Sequence, residues 1–301
     1  VKPPPMAGVV ERRLLVNYRA DPEAIARLVP APLRAQQVNG WAVAGICLIR
    51  LGRLRPRHLP GVLGLRSENA AHRIAVEWDT LDGLATGVYI PRRDSGSLVN
   101  VVVGGRLFPG RHHRARFDSR ETSEDLRVDF ASADGTASAQ VHVRTTDRWA
   151  GSRLFASLQE ASTFFRNGSV GYSVTNDGRC LDGLELRSDA WRVEPVDILA
   201  AASTFFDDRT RFPAGSVTLD CALLMRNVPV TWQPLSAMPI LSVARSAHSA
   251  RATQESPGAR APSEAVEARP GSDAFADRGG RAGWAHRGAV GPVPPEGEVS
   301  S

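Results

Sequence analysis

The residues best placed to do chemistry sit in two short runs, "SENAAHRIAVEW" (Ser67–Trp78) and "GRHHRARF" (Gly110–Phe117), where ionisable side chains interrupt apolar ones. Side chains on a strand alternate between faces, so Ala70, His72, Ile74, Val76 and Trp78 share one face, and the same parity adds Glu68. In the second run His113, Ala115 and Phe117 fall together, with His112, Arg114 and Arg116 opposite. His113 is therefore expected to look inward. If Glu68 and His113 meet in one cavity, the pair favours its carboxylate–imidazolium form and can move a proton near neutral pH. A core histidine satisfied by a backbone carbonyl is the plainer use of each ring. Adjacent histidines on a strand point apart, so His72, His112 and His113 are not expected to share a metal ion. His142, between Val141 and Val143, is expected on an exposed face.

Amine chemistry has little to draw on. Of 37 basic residues only Lys2 is a lysine, and a guanidinium stays protonated and is not a nucleophile. An internal Schiff base is thus not expected. No Gly-x-Ser-x-Gly elbow, His-Glu-x-x-His pair or phosphate-binding loop is present, and the spaced glycines of Gly104 to Arg111 lack the Lys-Ser/Thr that would hold phosphate. Asn167-Gly168-Ser169 reads as a helix-ending turn rather than a glycosylation site. Cys47, Cys180 and Cys221 are far apart with no Cys-x-x-Cys, which favours free thiols over disulfides or zinc. No metal or other cofactor is called for.

These side chains need strands to hold them. Candidate strands cover Val9–Tyr18, Trp41–Arg50, Asn69–Trp78, Leu84–Ile90, Leu98–Gly104, Arg114–Asp118, Asp125–Phe130, Ser138–Thr146, Gly171–Thr175, Leu184–Val193 and Ser216–Met225. Asp21 as N-cap with Pro22 at the first helical position predicts a short helix that Pro30 and Pro32 stop. Leu154, Leu158, Ala161, Phe164 and Phe165 form an apolar stripe over Arg153–Arg166, and a third helix is expected over Val196–Phe206. The fold class expected is α+β and β-dominated: strands that follow one another without helices favour a mostly antiparallel, closed, barrel-like sheet with two or three helices.

With 42% hydrophobic residues, 301 residues suffice for a substantial core. From Ser242 the chain is rich in Ala, Arg, Ser, Gly, Pro and Glu, too apolar-poor to offset its ordering entropy. The expected organisation is a flexible arm over 1–8, one domain over 9–241 and a disordered tail over 242–301. No apolar run nears the roughly 18 residues of a membrane helix, and the start lacks a signal-peptide layout, so a cytoplasmic protein with no membrane partner is expected. The net charge of +5 is spread along the chain, which does not call for nucleic acid.

Four stretches together carry a family resemblance: "NYRADPEAIARLVPAPL" from Asn17, "SENAAHRIAV" from Ser67, "GGRLFPGRHHRARF" from Gly104 and "LDCALLMRNVPVTW" from Leu219. The chain resembles the YqjF-like domain-of-unknown-function family, placed in the acetoacetate decarboxylase-like superfamily, over about Val9–Leu235. That family usually has serine where this chain has Cys221, and a histidine near Val230 that this chain lacks, so the chain is a divergent member. The resemblance implies a closed β-rich domain with an internal cavity. Decarboxylases carry a Gly-Arg-Glu segment followed by Pro-Lys-Lys, the first lysine forming the Schiff base. An ungapped match from Gly105-Arg106 sets Leu107 at the glutamate and His113 and Arg114 at the two lysines. The resemblance likewise implies that Arg19 reaches the cavity and that Glu68 corresponds to a cavity glutamate.

The expectation is an uncharacterised decarboxylase-like protein without Schiff-base chemistry that binds a small carboxylate or carbonyl metabolite. Ligand-binding candidates are Arg19, Glu68, His72, Arg106, His113 and Arg114. One alternative is an enzyme using His113 and Glu68 as acid and base on a small keto or hydroxy acid; the other is a structural or protein-interaction domain with a filled barrel. Homo-oligomers are compatible with the resemblance.

Overall fold

The computed structural model describes residues 4–102 and 108–241. In chain order the elements are β1 (Met6–Ala20), α1 (Pro22–Ala26), the two-residue strands β2 (Arg34–Ala35) and β3 (Gln37–Val38), β4 (Trp41–Pro56), β5 (Leu65–Thr80), β6 (Gly83–Ser95), α2 (Leu98–Val102) and β7 (His112–Glu121). There follow β8 (Asp125–Ser132), β9 (Ser138–Thr145), α3 (Leu158–Asn167), β10 (Val170–Val174), β11 (Cys180–Arg187), β12 (Glu194–Ser203), α4 (Thr204–Asp207), β13 (Val217–Pro234) and β14 (Met238–Pro239).

Burial separates two kinds of strand. In β8 and β9 every second residue is buried, so one face meets a core and the other meets solvent. β1, β4, β5 and β13 instead contain unbroken buried stretches, such as Ala42–Leu48 in β4. Those strands must have packed material on both faces.

The topology explains why. Among the described residues one mostly antiparallel sheet closes twice. A first ring runs β6–β7–β8–β9–β12–β13–β1–β4–β5 and returns to β6. A second leaves β6 through β10 and β11 and rejoins at β13. The strands β13, β1, β4, β5 and β6 are a wall common to both. On one face of it Leu14, Val16, Ile46, Leu48 and Ile74 pack with Leu126, Val128 and Phe130 and fill the first ring. On the other, Leu15, Val43, Cys47 and Ala75 pack against α3 and the segment before it, through Phe155, Ala161 and Phe165. Each fully buried leucine or isoleucine contributes roughly 1.5–3 kcal/mol, so both faces of the wall matter to stability.

The helices follow their caps. Asp21 accepts from the Glu23 amide at 2.8 Å with Pro22 at the first position, as the sequence predicts for α1. Ser157 caps α3 by accepting from the Glu160 amide at 3.1 Å, while Glu160 accepts from the Ala156 amide at 2.7 Å. The expected helix from Arg153 thus begins later. The Ser152 hydroxyl accepts from the amides of Leu154 and Phe155 and holds that stretch in a turn.

Three further expectations need correction. Residues 196–203, expected in a third helix, lie in β12, paired with β9 and β13; tertiary pairing overrides the helix propensity of "ILAAAS". Leu98–Val102, expected as a strand, is α2, and the rest of that span lies outside the described residues. Met6, Ala7 and Gly8, expected in a flexible arm, begin β1 and pair with β13 on one side, with Met6 buried. The expected tail, 242–301, lies outside the described residues. No helix among the described residues is long and apolar enough to cross a membrane.

Candidate functional site

On the second-ring face of the common wall, side chains line up in rows across the strands. One row is Leu15, Cys47, Ala71, Arg93 and His112, a residue each from β1, β4, β5, β6 and β7. On one side lies the row Arg13, Ile49 and Asn69, and on the other Asn17, Gly45 and Arg73. Members of these rows, among them Arg13, Cys47, Arg73, Arg93 and His112, line a cavity of about 140 Å³ that Leu184, Leu186 and Trp232 help to close.

Arg73 shows how the wall is built to hold a charge there. Its side chain crosses β4 to donate from Nη2 to Asn17 Oδ1, and its guanidinium lies 4.6 Å from the centre of the Phe165 ring. The residue it crosses is Gly45. A Cβ at that position would stand 2.5 Å from the Val16 carbonyl oxygen and 3.2 Å from Arg73 Nη2. Arg73 is only 3% exposed, yet its Nε has no hydrogen-bond partner among the described residues.

Two more guanidiniums join it. Arg13 Nε donates to Cys47 Sγ at 3.2 Å and its guanidinium lies 5.9 Å from the centre of the Trp191 ring, while Arg93 Nε has no hydrogen-bond partner among the described residues. Among the described residues none of the three forms an ion pair with a carboxylate, whereas the adjacent Arg12 and Arg92 do, to Glu68 at 2.6 Å and Asp94 at 2.8 Å. Burial lowers both Arg73 and Arg93 from 12.5 to about 10, with the charge of Arg13 adding to the effect on Arg73. Both remain cations at neutral pH.

His112 completes the row beside Arg93. Burial first, and then the charge of Arg93, push its imidazole down to about 3. Neither ring nitrogen makes a hydrogen bond of good geometry among the described residues, although the carbonyls of Phe108 and Pro109 lie near enough to favour the charged ring. The ring is therefore neutral at pH 7, with one nitrogen to donate and one to accept.

The structure does not bring the sequence-predicted candidates together here. Glu68 lies in an ion network, accepting from Arg12 at 2.6 Å and from Arg50 at 2.6 Å. His113, expected to look inward, instead bonds through Nδ1 to Asp134 at 2.7 Å. His72 is wholly buried in the first ring, stacked on Phe205 at 4.3 Å, with Nε2 3.5 Å from the Ser203 hydroxyl. Arg19 pairs with Asp220 at 3.5 Å and lies over Trp41. Arg114 is exposed, and Arg106 lies outside the described residues. Alternation along a strand hides the cavity residues Arg13, Arg73, Arg93 and His112, because period two assigns the apolar parity to the interior. In a wall with a core on each side, the other parity is inward too. The signal available was Gly45 opposite a basic residue on a strand with no other reason for a glycine.

A model of the family DUF2071, described as an uncharacterized conserved protein (COG2071), matches residues 10–228. Among solved structures, acetoacetate decarboxylase from Legionella pneumophila superposes with a TM-score of 0.51 at 10% identity, covering 79% of this chain and 88% of that one. The enduracididine biosynthesis enzyme MppR, in complex with the condensation product of pyruvate and imidazole 4-carboxaldehyde, does so with a TM-score of 0.50 at 13% identity, covering 79% and 90%. The likeness is one of fold. No curated protein sequence matches the chain significantly.

Proposed function

The chain belongs to the DUF2071 family of uncharacterized conserved proteins, and on that footing we propose that its cavity binds a small carboxylate or carbonyl metabolite without Schiff-base chemistry. The observation that carries this reading is the gathering of Arg13, Arg73 and Arg93 around one small cavity, none of them in an ion pair with a carboxylate among the described residues. A buried guanidinium with no counter-charge is costly unless a ligand supplies one. Its planar fork suits a carboxylate, and the neutral His112 can donate to a carbonyl or hydroxyl oxygen.

The apolar lining from Ile49, Leu51, Val88 and Ile90 strengthens each of these contacts. MppR, of the same fold, holds a pyruvate-derived product; an acid of that kind is what these cations would take. The sole lysine is Lys2, so no described residue offers an amine to a ketone. Acid–base work by Glu68 with His113 has no support in the cavity, since each is engaged in its own ion pair away from it.

Thermal unfolding of the full chain against a panel of three- to six-carbon acids tests the reading. A ligand at 100 times its Kd adds about 2.7 kcal/mol, which for a domain of this size raises Tm by roughly 5–10 °C. The wild type should show such a rise with at least one acid, and Arg73→Met should lose it. No rise with any acid at millimolar concentration refutes the proposal.

A further inference from the structure

We infer that the cavity selects a small dicarboxylate over a monocarboxylate of the same shape, an inference that rests on the ligand-binding reading above. The cavity carries three positive charges from Arg13, Arg73 and Arg93, and His112 is neutral there. Its acidic neighbour Asp94 is already taken, accepting from Arg92 Nε and Nη2 at 2.8 Å each. A ligand with one negative charge leaves two of the three cations lining the cavity without a counter-charge. A ligand with two supplies a second counter-charge and gives Arg93 an anionic partner as well as Arg13 and Arg73.

Placement agrees with charge. Arg13 and Cys47 meet at 3.2 Å, and Arg93 stands in the Cys47 row two strands away, about 10 Å at the backbone. All three cations line one cavity, across which a short chain with an acid at each end can reach from Arg13 toward Arg93. Between them the surface is apolar, with Ile49, Leu51, Val88 and Ile90, which suits methylenes rather than the hydrated oxygens of a phosphate. A cavity of about 140 Å³ limits the chain to a few carbons.

The test is calorimetric titration of the full chain at pH 7.5 with matched pairs: succinate against succinamate, and glutarate against its monoamide. Each pair keeps shape and changes one charge. One dicarboxylate should bind at least about 10-fold tighter than its monoamide, with the gap narrowing as salt rises. In Arg93→Gln the ratio should fall toward one. Equal affinities within both pairs overturn this inference and leave carboxylate binding standing. Tighter binding of propyl phosphate than of either diacid overturns the choice of dicarboxylate. No binding by any acid overturns the ligand-binding reading and this inference with it.

Discussion

Replacing Arg73 by methionine separates a side chain kept for a ligand from one kept for the fold. The fall of its guanidinium from 12.5 to about 10, caused chiefly by burial, corresponds to roughly 3 kcal/mol of unfavourable surroundings for the cation. Removing the charge recovers that amount. Against it stand the hydrogen bond to Asn17, worth about 1.5–3 kcal/mol, and the contact with the Phe165 face, worth about 0.5–2 kcal/mol. The two sides nearly cancel, so Arg73→Met should change stability by less than about 2 kcal/mol. Arg12, in the same wall, is the control. It is 1% exposed, bonded to Glu68 at 2.6 Å and 3.8 Å from Glu121, so Arg12→Met leaves Glu68 with Arg50 as its remaining cation and should cost about 2–4 kcal/mol. Urea unfolding followed by tryptophan fluorescence measures both, and titration with a binding acid measures function. Arg73→Met should keep its fold and lose ligand affinity by about 100-fold or more. If it costs as much stability as Arg12→Met, the cavity cations are structural and the argument from their missing counter-charges fails.

Gly45→Ala should cost about 2–4 kcal/mol, because its Cβ meets the Val16 carbonyl oxygen and the crossing Arg73 at once; an unchanged urea midpoint would show that the crossing is not tight. His72 is held down to about 3 by burial, then by Arg92 and Arg211, so between pH 6.5 and 3 the unfolded chain takes a proton that the folded one refuses. Stability therefore falls with pH through that window, by up to about 1.4 kcal/mol per unit from this residue, and His72→Leu should flatten the slope of midpoint against pH. A slope identical to wild type counts against the assignment. Borohydride treatment in the presence of acetoacetate should leave no adduct on residues 4–241 by mass spectrometry, and an adduct there overturns the absence of amine chemistry. His113→Gln should leave acid binding unchanged, since that ring pairs with Asp134 outside the cavity; a loss of binding would return it to the site.

Local chemistry made much of the fold readable. Asp21-Pro22 placed α1, and alternating runs placed β8 and β9, because a cap or a half-buried strand is decided by near neighbours. Val196–Ser203 was not readable as a strand, since only its pairing with β9 and β13 makes it one. The site was half readable. β5 was identified, and Ala70, His72, Ile74 and Val76 do share a packed interior. What lies behind Arg73 is a second interior closed by β10 and β11, distant in sequence, and no alternation along β5 can report it.

A strand with an interior on each side has no harmless frame. Deleting one residue from β5 ahead of His72 would exchange the contents of the two rings, sending the Arg73 guanidinium among the rings of Phe205 and Phe206 and presenting His72 to the cavity. Neither chamber could absorb the other's side chains. Variation within the wall is thus confined to substitution, one letter at a time, which can retune the ligand while chain length stays fixed. Insertions and deletions are left to the outer connections, such as the turn at Gly178 between β10 and β11, where backbone with a φ of 73° turns back in open space.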